Sequence, residues 1–153
     1  MENYYITIKN IVLAVCAALG SIISNALGGW DVTLQVLVGF MVADYLTGLV
    51  VAGVFHKSKK SESGSLESRA GFQGLIRKCA ILMLVLLGVM LDHATHSTFI
   101  RPAICFFFIA NEGLSILENL GLMGVPYPAF LKNMLEALKK NADDGGDDTG
   151  NDE

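Results

Sequence analysis

Four apolar runs, each near the length of a membrane crossing, leave this chain few ways to fold. Ile11 to Gly29, IVLAVCAALGSIISNALGG, contains no charged residue. As a helix at ~1.5 Å per residue it covers roughly 28 Å, against ~30 Å of hydrocarbon. Val32 to Phe55 is the second run, with Asp44 as its single charge, and Lys78 to Ala94 and Pro102 to Gly121 are the third and fourth. Inside lipid the backbone must bond to itself, which only helices and closed barrels achieve, and runs of this length suit helices. With 52% of residues hydrophobic and 17% charged, the chain is too apolar for an ordinary soluble domain of its size. The expected fold is an all-α membrane protein. It comprises a single membrane domain at residues 1–140 with about four transmembrane helices, at about 11–29, 32–55, 78–94 and 102–121.

The segments between the runs set the orientation. His56 to Lys78 carries six Lys and Arg against Glu62 and Glu67, and cationic loops stay on the cytoplasmic side. Four crossings then put both termini in the cytoplasm, and of eleven Lys and Arg only Arg101 falls in an outside loop. Gly71 and Gly74 read as a turn or close contact within the basic loop. The first run has a competing reading as a signal peptide, although it is long for one and a second run follows almost at once. Its Ala14, Ala17, Ala18 and Ser21 offer a face for close helix approach. Trp30 sits where a membrane interface is expected.

The third run is the weakest as a span. From Cys79 to Leu91 it is only thirteen residues long. It crosses if Lys78 snorkels to the near interface and Asp92 and His93 reach the far one; a shallow re-entrant segment is the alternative. After Pro126 and Pro128, residues 129–140 form an amphipathic helix expected at the interface. Residues 141–153 hold six of the fifteen acids and read as a disordered tail. His93 and His96 lack a metalloenzyme pattern, and Cys16, Cys79 and Cys105 lie within apolar runs as small hydrophobes. No cofactor or metal is expected. The basic loop lacks the aromatic interleaving of a nucleic-acid surface, so no nucleic-acid partner is expected either.

Within this apolar frame a few polar residues stand out. On a helical wheel with Asn111 at zero, Glu112, Ser115, Glu118 and Asn119 fall within about 100° of it on a single stripe of the fourth run. In the second run Thr47 and Gly48 share a face with Asp44. Ionisable side chains at such depth are costly and face a bundle interior or an aqueous cavity. Two readings follow for Asp44: a pore-lining or oligomer-contact residue, or a protonated side chain bonded to a neighbouring helix that serves packing alone. No nucleophile–base pair appears, and an enzyme is not expected.

Three pieces resemble the phage lysis and toxin-secretion holins: Asp44-Tyr45-x-Thr47-Gly48, then Ser68-x-x-Gly71-x-x-Gly74-x-x-x-Lys78, then Glu112-x-x-Ser115-Ile116-Leu117-Glu118-Asn119 followed by Gly121, Gly124, Pro126 and Pro128. The resemblance covers roughly residues 10 to 135. It implies a bacterial inner-membrane protein of a phage or prophage that accumulates, oligomerises with itself among the membrane lipids and permeabilises the membrane, so that an endolysin or a toxin can leave, with an antiholin as a further partner in such systems. On this reading Asp44, Thr47, Gly48, Asn111, Glu112, Ser115, Glu118 and Asn119 are the pore-lining or oligomer-contact residues, and Ser68, Gly71, Gly74 and Lys78 form a loop motif. A departure is the acidic tail, where holins of several types end in a basic one. A small ion channel or transporter subunit and a non-conducting membrane scaffold fit the same composition.

Overall fold

The structure, a computed structural model, describes residues 2–57 and 68–144. Among them are five α-helices and no strand: α1 (Glu2–Ala26), α2 (Val32–Val50), α3 (Ser68–Thr95), α4 (Ile100–Met123) and α5 (Ala129–Asp144). A π-helical turn, Val51–Phe55, continues α2. Four of the helices, Tyr4–Ala26, Val32–Phe55, Ser68–Thr95 and Ile100–Met123, are long and apolar enough to cross a membrane.

The spacing of small and apolar residues explains how they pack. On α2 the buried side chains Leu34, Leu37, Met41 and Asp44 recur every three or four residues, which is one face of a 3.6-residue helix. On α3 the matching face carries Ile81, Val85, Gly88 and Asp92. These meet Cys105 and Ile109 of α4 in a common core. α4 is the central helix, packed against α2, α3 and α5, whereas α2 and α3 touch each other less. α1 stands apart: its apolar window, Tyr4–Ala26, has no residue buried inside the chain. Only Leu27, just beyond its end, enters the core. An apolar helix so exposed finds its solvent in lipid.

Several expectations need correction. The third run is not short. Its helix begins at Ser68, and at 28 residues it extends about 42 Å, long enough to cross a membrane. Ser68, Gly71, Gly74 and Lys78 are consequently helical, not a loop. The first helix likewise starts at Glu2, ahead of Ile11. Asn141 to Asp144, expected at the start of the tail, complete α5; the remainder of the tail, 145–153, lies outside the described residues, as does 58–67 of the basic loop.

α5 departs furthest from expectation. After Gly124, whose positive φ of 82° ends α4 in the left-handed conformation glycine adopts without strain, the chain reverses and α5 runs back along α4. Tyr127 lies over Gly121, and Leu135 packs so closely on Gly113 that a Cβ there would meet Leu135 Cδ1 at 2.9 Å and Phe40 at 3.1 Å. The expected interfacial helix is thus docked on the bundle, with Leu135 buried and Phe130 and Met134 exposed.

Candidate functional site

Three helices converge on one polar centre. Asp44 from α2, Lys78 from α3 and Glu112 from α4 meet there; Asp44 and Glu112 sit near the middle of their helices, and Lys78 just ahead of the buried stripe of α3. The Lys78 ammonium donates to Asp44 Oδ2 at 2.6 Å and to the Glu112 carboxylate. Asp44 and Glu112 are each only 5% exposed, so neither charge can lean on water. Lys78 therefore does not snorkel to the near interface. It turns inward, because two carboxylates lie within its reach and unpaired buried charge is among the costliest features a fold can carry.

A second layer of contacts fixes the first. Asn119, one helical turn beyond Ser115 on α4, donates from Nδ2 to Thr47 Oγ1 at 3.0 Å and to Asp44 Oδ1 at 3.3 Å. Thr47 passes its own proton back to the helix, donating to the Ala43 carbonyl at 2.9 Å. Gly48 leaves room for this amide: a Cβ there would stand 3.8 Å from Asn119 Nδ2. Across the bundle, Gly71 and Gly74 on α3 form a shallow groove for Tyr45, whose hydroxyl and ring lie 3.6 Å from where their Cβ atoms would be. The three sequence pieces are therefore one constellation in space, built around a single ammonium.

The remaining seam residues go elsewhere. Asn111 and Ser115 are half-buried, and Glu118 is exposed. Asn111 Oδ1 accepts from Lys139 of α5 at 3.4 Å, and the same ammonium stands 5.3 Å from the Phe107 ring centroid. One stripe on the wheel thus divides into a buried flank, Glu112 and Asn119, and a flank on the α5 side.

A second cluster closes the opposite end. The Arg101 guanidinium donates to Asp31 Oδ2 at 2.6 Å and Oδ1 at 3.1 Å, and its Nε to the Leu27 carbonyl at 2.7 Å. Gly28, at φ +88°, is required here, since a Cβ would come within 2.7 Å of Arg101 Nε. Asp92, at the end of α3, accepts from the Ile100 and Arg101 backbone N–H groups, both at 2.9 Å, and so satisfies two of the unpaired donors that every helix start exposes. Arg101 beside Asp31 holds that carboxyl below the usual carboxylate range, against the opposing effect of partial burial.

The sequence reading missed this clasp, and it also missed Lys78 as the mid-span cation. The signal for Lys78 was present: Gly71, Gly74, Lys78, Ile81, Val85, Gly88 and Asp92 recur at alternating steps of three and four, one continuous helical face. Read as turn formers, the two glycines hide that face. Among the described residues no group of three or more His, Cys, Asp or Glu could hold a metal ion.

Comparison with known proteins identifies relatives of the sequence that carries this geometry. A family model described as "Bacteriophage holin family" matches residues 21–140, which takes in all three sequence pieces. An uncharacterized protein of Listeria monocytogenes is 42% identical over 118 residues, covering 76% of this chain and 78% of the relative. An uncharacterized 14.9 kDa protein of Clostridium perfringens is 37% identical over 140 residues, 90% of this chain and 97% of the relative. A protein of Bacillus phage phi105 named "Probable holin" is 30% identical over 111 residues, 72% of this chain and 76% of the relative. No solved structure matches.

Proposed function

The chain belongs to the bacteriophage holin family, and from that premise we propose that it assembles with further copies of itself in the bacterial cytoplasmic membrane and opens lesions through which an endolysin or a toxin leaves the cell. The observation that carries the reading is the Lys78–Asp44–Glu112 centre, which joins three of the four membrane-length helices. Paired in this way, the charges let a single chain reside in lipid without an open aqueous path, because each costly group is met within the bundle. The pairing is incomplete, however: two carboxylates face one ammonium, and full ionisation leaves one negative charge in excess. Admitting water relieves that excess, so the closed bundle is poised rather than inert. Asp44, Thr47, Gly48, Glu112 and Asn119 act as helix–helix contacts that hold the closed state, while Asn111, Ser115 and Glu118 belong to the side that meets further copies or the lumen. The chemistry is passage through a membrane, with no bond made or broken.

Inducible expression in a bacterium tests this, with membrane potential followed alongside release of a cytoplasmic reporter enzyme after a peptidoglycan hydrolase is added from outside. The expected result is abrupt depolarisation at a reproducible time together with reporter release. Asp44→Asn combined with Glu112→Gln should shift that time. Depolarisation without reporter release would replace the reading by a small ion channel, and no depolarisation at high membrane abundance would leave a scaffold.

A further inference from the structure

Helix α5 carries its charges at a depth unsuited to a helix lying on the membrane surface. Leu135 packs on Gly113, close to the midpoint of α4, and Lys139 reaches Asn111 and Phe107, on the half of α4 nearer Ile100. The C-terminal half of α5 therefore runs beside the membrane-spanning part of the bundle. Around α5, with Leu135 at zero, Lys132, Glu136 and Lys140 occupy about 60–140°, while Phe130 and Met134 lie at about 220–260°. Both flanks are exposed, and Lys132 and Glu136 form an ion pair at 3.6 Å on the charged one.

A charged flank beside the middle of a span cannot face hydrocarbon, so this side of the molecule faces water. Several copies around a lumen bring water to that depth. Glu118 gives a second, independent indication. It is exposed on α4 and falls on the wheel between Phe107 and Asn111, the two residues that meet Lys139. A carboxylate left out of the buried centre thus points to the same side as α5.

We infer that α5, docked on α4, forms part of the lesion wall, its Lys132–Glu136–Lys140 flank turned to the water of the lumen and its Phe130–Met134 flank turned away. The inference deepens the holin reading and rests on it. On this view the buried carboxylates stabilise the wall, and α5 supplies its wetted surface.

The test uses the full chain with Cys16, Cys79 and Cys105 replaced by Ala, reconstituted in vesicles of phosphatidylethanolamine and phosphatidylglycerol. Permeabilisation is read by release of a trapped dye. Docking is read by oxidative cross-linking of Gly113→Cys to Leu135→Cys, a pair in which the shortened side chain relieves the added Cβ. A short bismaleimide joining Asn111→Cys to Lys139→Cys provides a second measure should the first pair fail to fold. Spin labels at Lys132→Cys and Glu136→Cys, against Phe130→Cys and Met134→Cys, report collision with a water-soluble nickel chelate or with oxygen. The expected outcome is cross-linking, dye release, and nickel accessibility severalfold higher at 132 and 136 than at 130 and 134. Dye release without either cross-link would overturn the inference and leave the holin reading standing, since α5 would then lie on the surface. Cross-linking with oxygen-dominated collisions at 132 and 136 would overturn it too. Absence of dye release in the cysteine-free parent would remove the holin reading and this inference together.

Discussion

The polar centre at mid-span and the clasp joining the α1–α2 turn to the start of α4 are both ion clusters, yet they are built to different rules. In the clasp, too, two carboxylates stand near one cation, but backbone groups share the load. Arg101 meets one carboxylate with a two-pronged contact and spends another donor on a backbone carbonyl, while Asp92 is satisfied by two backbone N–H groups. The Asp31 side chain is 46% exposed, so water shares its charge. At mid-span Lys78 lies between Asp44 and Glu112, side chains from three different helices, with side-chain exposures of 12% or less. The difference teaches what each is for. A cluster near water fixes the ends of helices; on the proposed holin reading, the one away from water holds a closed state that a change in hydration can release.

The largest expected effect comes from unbalancing the centre completely. Lys78→Met leaves two buried carboxylates without a cation and should destabilise the chain by about 3–5 kcal/mol, the usual cost of breaking a buried pair from one side. Thermal unfolding in detergent and the amount retained in membranes would read it. Adding Asp44→Asn and Glu112→Gln to Lys78→Met should recover most of the loss, since no ion is then left buried. A Lys78→Met chain as stable as the parent would mean the centre holds nothing together.

At the clasp the expected effects are smaller. Arg101→Lys keeps the charge but loses the planar fork that bridges Asp31 and the Leu27 carbonyl, and should cost about 1–3 kcal/mol in the same unfolding experiment. An effect as large as that of Lys78→Met would erase the distinction between the two clusters.

The smallest effect is a pH dependence. Arg101 depresses the Asp31 carboxyl in the folded chain, so the stability that this pair contributes is fully present above the unfolded carboxyl value, about 4, and is lost as pH falls through the lower folded value. The difference in melting temperature between the parent and Asp31→Asn should hold steady from neutral pH to about 5 and shrink below about 4. A difference that already fades near neutrality would place the clasp, not the centre, in the role of switch.

Much of this was legible in the residues, and the reasons are local. Asp44, Thr47, Gly48, Glu112 and Asn119 stand out because a polar side chain in an apolar run is anomalous whatever its neighbours. The stripe on α4 could be drawn on a wheel, but not its division, since whether Asn111 and Glu118 belong with Glu112 depends on where α2, α3 and α5 lie around it. Lys78 shows the limit most clearly. From the sequence it sits at the edge of an apolar run, where a long side chain can reach the interface; only the approach of two acids from other helices turns it inward.

The sequence by itself pointed to three apolar runs of membrane length and one shorter run, the third in order, because hydropathy and rise per residue are properties of a contiguous segment and need no partner. It also determined which positions carry the polar chemistry. The tertiary structure alone decided who pairs with whom: Lys78 with Asp44 and Glu112, Arg101 with Asp31, and α5 folded back on α4 instead of resting at the interface. Charge pairing and docking depend on distances between residues remote in the chain, and in a low-dielectric interior those distances set whether a charge stabilises or disrupts.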